Sequence, residues 1–159
     1  MKRHTIRLYN LIFPIWIFWM VPSLLWLLLL PANFLWDSLV LLAAAGWLRL
    51  QGKKELWKHS IVKVWLIGFA ADFAGAALSL VVMLLLNTLL DSHIFDPYHF
   101  PGATLHAIPG VCLAGWLIWR LNRRYSFGKA DISEAMAGRL SLLLAVFTAP
   151  YLMLLPMYH

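Results

Sequence analysis

Charged side chains are scarce in this chain, at 13% of its 159 residues. An average soluble domain carries about 25%. With 62% of residues hydrophobic and a mean hydropathy of +0.76, a water-soluble fold of this length could not hide its apolar surface in one core. Acidic residues are the scarcest charged class, 7 against 13 lysines and arginines. The resulting net charge of +6 invites a nucleic-acid reading. That reading is excluded because the basic residues are separated by apolar spans and form no single patch. Cysteine occurs once, as Cys112, which rules out an intramolecular disulfide and any cysteine-based metal motif. In its apolar surroundings Cys112 is expected to be a small buried hydrophobe.

Long apolar runs are what the chain has instead. A helix crossing a bilayer needs about 20 mainly apolar residues. Five runs come close, at about 11–30, 34–48, 64–90, 103–119 and 140–157. The expected fold is therefore an all-α integral membrane protein, one domain over 1–159, built as a bundle of five transmembrane helices. Pro31 and Asn33 are expected to turn the chain between the first two runs. Gly52 sits where a C-cap glycine belongs after the second. Asp131 and Glu134 look like a capping pair leading into the fifth. Pro14, Pro22 and Pro109 lie inside runs and remove backbone donors there.

Orientation follows from lysine and arginine. With five crossings, segments 1–10, 49–63 and 120–139 lie on one side and hold all 13 basic residues, whereas loop 91–102 has none. Basic short loops stay in the cytoplasm, so the N-terminus is expected inside and the C-terminus outside, in a multi-pass protein of a bacterial plasma membrane. Between the second and third runs, Leu56, Trp57, Ser60, Ile61 and Val64 share one helical face, with Lys53, Lys54 and Lys58 toward the other. This reads as a short interfacial amphipathic helix touching anionic lipid. A solvated loop with snorkelling lysines is the alternative.

Asp72 is the most informative residue. It lies nine residues beyond Lys63, so about 13 Å into the membrane at 1.5 Å per residue. A carboxylate near a helix centre costs about 2.5–3.5 kcal/mol on insertion scales and should face protein or water. Gly68, Ala71, Asp72, Gly75 and Ser79 share its helix face. That small-residue stripe suits close helix packing, or leaves room for an ion, a proton path or a small substrate. Ala107, Gly110 and Ala114 form a second stripe. Arg139 is a possible partner of Asp72, or an interface snorkeler. Asp37 and Asn87 complete the intramembrane polar set. An outer polar cluster is expected from Asn33, Asp91, His93, Asp96, His99 and His106. Imidazole and carboxylate suit transition metals, but the His93, Asp96, His99 spacing matches no metal motif, and no metal is expected.

No Gly-x-Ser-x-Gly elbow, His-Glu-x-x-His, phosphate loop or dinucleotide fingerprint is present, so no cofactor is expected. The residue patterns of small multidrug exporters, rhomboid proteases and lipid phosphatases are absent. Three functions remain open. The first is a small transporter or ion- or proton-permeation subunit using the buried acid, acting as a homo-oligomer at this size. The second is a non-catalytic accessory or scaffold subunit that binds a partner membrane protein through its glycine and alanine faces. The third and least favoured is an intramembrane lipid-modifying enzyme with Asp37, Asp91 and His106 converging near the outer surface.

Overall fold

The computed structural model describes residues 26–90, 101–128 and 130–155. All regular structure in them is helical. Helix α1 covers Trp26–Trp47, α2 Lys53–Leu90, α3 Gly102–Leu121 and α4 Glu134–Thr148. A π-turn at Asn122–Ser126 extends α3, and a 3-10 turn at Tyr151–Leu154 follows α4.

Among the described residues, three helices are long and apolar enough to cross a membrane, where the sequence suggested five spans; most of the expected first span, 11–30, with Pro14 and Pro22, lies outside the described residues. The expected turn at Pro31 and Asn33 does not form: α1 runs through Pro31 without a break. An interior proline costs about 3 kcal/mol. A turn in a run of leucines would strip several backbone groups of partners, at several kcal/mol each in an apolar medium. The fourth run matches α3, which continues through Pro109. The fifth begins earlier than expected, and α4 is only 15 residues long, under the roughly 17 needed to span. It ends at Ala149, whose ψ of 150° is the extended conformation forced by the proline that follows.

The separate interfacial helix is also absent. Residues 53–90 form one helix of 38 residues, about 57 Å long. No proline occurs in it and its first glycine is Gly68, so nothing interrupts the hydrogen-bond ladder. The face of Leu56, Ser60, Ile61 and Val64 is buried against the protein core and not against lipid. Lys53, Lys54 and Lys58 are exposed on the other side.

The helix ends have local causes. Arg49, at φ 53°, takes the left-handed position that stops α1. Arg49 N–H donates to Gly46 O and Leu50 N–H to Ala45 O, the paired bonds of a Schellman ending. Gly52 does not cap α1. Its φ is 66°, and its carbonyl accepts the first bonds of α2 from Glu55 and Leu56. The α4 cap is Ser133, whose Oγ accepts from Met136 N–H at 3.3 Å, and not Asp131.

One core joins α1, α2, α3 and α4 through Leu41, Ala45, Val64, Ile118, Leu140 and Leu144. The outside is apolar. Leu27, Leu28, Trp47, Leu89 and Leu152 are each at least 71% exposed, a surface suited to hydrocarbon and not to water. Cys112 belongs to this outer surface: it is exposed, contrary to the buried position expected from its neighbours. Alanine and glycine occupy the inward positions of α3, which turns Cys112 outward.

Candidate functional site

Because α1 continues through Pro31, Asp37 lies near its middle instead of at its outer end. The loop at 48–52 folds α1 back along α2, which brings Asp37 to the level of Gly68. Gly68 has no side chain, and a Cβ there would stand 3.4 Å from Asp37 Oδ2. Asp72 follows one turn later on the same face. Both carboxyl groups therefore lie beside the Gly68 crossing of α1 and α2. They are 2% and 4% exposed. Asp37 Oδ2 and Asp72 Oδ1 have no hydrogen-bond partner among the described residues, and neither has the buried Ser38 Oγ. Arg139 is exposed and forms no ion pair with Asp72.

The small-residue stripes pack on each other. A Cβ on Gly75 would stand 2.6 Å from Gly110 O and 3.1 Å from Ala114 Cβ. A Cβ on Gly110 would collide with Gly75 O and Ser79 Oγ. Ala71, Ala107 and Ala114 are each at most 1% exposed. This crossing positions α2, and with it Asp72, against α3.

The proposed outer cluster is divided. Asp91, His93, Asp96 and His99 lie outside the described residues. Asn33 is half-buried on α1, one turn before Asp37. His106 is buried, with Nδ1 2.8 Å from Gly102 O. It precedes Gly110 by a turn, and Gly110 meets α2 between Gly75 and Ser79. His106 therefore lies about 10 Å along the bundle from Asp72. Asn87 is further along α2, its Oδ1 buried with no partner among the described residues. Asp37 thus joins Asp72 and does not join His106. Among the described residues, no three metal-ligating side chains converge.

A second polar centre lies at the basic end, and sequence reading missed it. Asn122 is fully buried. Its Nδ2 donates to Ile118 O at 2.9 Å, and its Oδ1 accepts from Ser126 Oγ at 2.7 Å. Ser126 O in turn accepts from Ser60 Oγ at 3.2 Å. These bonds fix the π-turn to α2. The pair of polar residues at i and i+4 after an apolar run was the available signal. Arg120, Arg123 and Arg124, which the sequence marks only as orientation charges, sit around it.

No family model, curated protein or solved structure matches the chain.

Proposed function

We propose that this is a multi-pass plasma-membrane protein that takes up a proton or small cation between Asp37 and Asp72, as a small transporter or permeation subunit. The observation that carries this reading is the pair of buried carboxyl groups beside the Gly68 crossing of α1 and α2, each with an oxygen that has no partner among the described residues. Two ionised carboxylates cannot share a dry site without a compensating positive charge. Among the described residues no lysine or arginine supplies it within the bundle, and a bound proton or cation would supply the charge. Buried acids inside spanning helices mark ion and proton pathways.

The described lysines and arginines, Arg49, Lys53, Lys54, Lys58, Lys63, Arg120, Arg123, Arg124 and Arg139, fall toward one end of the helices. By the positive-inside rule this is the cytoplasmic end. An accessory or scaffold role is less well supported, because the glycine and alanine faces it would use pack against each other within the chain.

The test is flux in proteoliposomes holding the purified full chain, under imposed proton, sodium or potassium gradients. The wild type should dissipate at least one gradient, and Asp37→Asn and Asp72→Asn should each abolish that flux. Absence of any wild-type flux, or unchanged flux in both variants, removes the proposal.

A further inference from the structure

We infer that the basic end of the bundle carries a binding pocket for a phosphate group, with the phosphorylated headgroup of an anionic lipid as its expected source. A cavity of about 440 Å³ opens beside the π-turn, lined by Arg120, Arg123, Arg124, Phe127, Ile132 and Glu134 among others. That volume falls in the range of small-ligand sites. Three arginines line it against a single acidic residue, so the pocket attracts anions. Guanidinium is the side chain that binds phosphate through two parallel hydrogen bonds.

The arrangement is built and not a chance crowd of surface charge. Arg123 and Arg124 project from the π-turn Asn122–Ser126, an irregularity that often marks functional sites. Its shape is held from beneath by the buried Asn122, Ser126 and Ser60 hydrogen bonds. Phe127, 1% exposed, fills the base. Arg124 stands 5.7 Å from the ring centre of Tyr125. Arg123 donates to Glu134 at 2.9 Å, so an arriving phosphate competes with that carboxylate. Arg120 ends the apolar helix α3, which sets the pocket where hydrocarbon gives way to water. Ile132 and Ala137 offer apolar wall to the uncharged part of a lipid. Phosphate is the shared chemistry of a headgroup and a free anion, and the two sources are separable.

The experiment uses the purified full chain in nonionic detergent. Retention of phosphatidylglycerol against phosphatidylcholine is read by native mass spectrometry, and inorganic pyrophosphate is titrated by tryptophan fluorescence. The wild type should favour the anionic lipid. Arg120→Gln with Arg124→Gln should weaken retention at least about tenfold, through loss of two charge-assisted contacts. Arg49→Gln with Lys63→Gln, an equal charge change at the same end but outside the cavity, should leave it unchanged. Glu134→Gln should tighten binding about two- to threefold by freeing Arg123. Its side chain is 86% exposed, so this variant decides the matter even where the double arginine variant does not fold. Pyrophosphate that binds and displaces the lipid makes free phosphate a competent ligand; lipid retention without pyrophosphate binding makes the headgroup the ligand. Equal weakening by the cavity pair and the control pair, weaker binding in Glu134→Gln, or a wild type that neither prefers anionic lipid nor binds pyrophosphate would overturn the assignment.

Discussion

Gly75→Ala tests the packing that holds Asp72 in place. The added Cβ would lie 2.6 Å from Gly110 O and 3.1 Å from Ala114 Cβ. Carbon and oxygen rest at about 3.3 Å in close helix contacts, so α2 and α3 must part by roughly 0.7 Å. Neither neighbour can swing away, since one is backbone and the other a methyl on a buried helix. Overpacking of this kind costs about 1–3 kcal/mol. Alanine returns about 0.5–1 kcal/mol over glycine in a helix. Taking the middle of each range, the net expectation is a loss of about 1 kcal/mol. Gly110→Ala, facing the same crossing, should lose at least as much. Gly115→Ala is the internal control: its Cβ would meet Ala149 Cβ at 3.9 Å, an ordinary contact, so only the helix gain of about 0.5–1 kcal/mol remains. The assay is unfolding by SDS titration or heat in detergent micelles, followed by helical circular dichroism. Should Gly75→Ala match or exceed the wild type, or the three variants behave alike, the close α2–α3 crossing is wrong.

Arg49→Gly should stabilise the protein by about 0.5–1 kcal/mol in the same unfolding assay, because glycine takes the left-handed position without strain; a loss of stability would refute that account of the α1 ending. Ser133→Ala should cost about 1 kcal/mol through the uncapped α4 terminus, and no change would mean that the Met136 N–H finds water equally well. Cys112 should react with a lipid-soluble maleimide and resist a membrane-impermeant one; labelling by the impermeant reagent would take α3 out of the bilayer. In a Cys112→Ser background, cysteines at positions 54 and 123 should be labelled by the impermeant reagent only from the cytoplasmic face, and labelling from outside would invert the orientation.

Composition alone determined that this chain is helical and suited to lipid, because a sequence with so little charge cannot cover itself in water, and helices satisfy the backbone without outside partners. The α3 run and the two small-residue stripes were likewise legible, since each is a repeat at helical spacing; the apolar face of residues 56–64 was legible as a face, but that protein and not lipid covers it was not. The interruptions were not. Whether Pro31 turns or continues, and whether 53–64 stands apart from 64–90, depends on what the neighbouring helices cover, and proline is a strong breaker only where water can take the freed groups. The meeting of Asp37 with Asp72, and of three arginines around a cavity, belonged to tertiary structure for the same reason. Residues 35 positions apart on two helices come together only through the register at which those helices dock, and a local pattern carries no information on register.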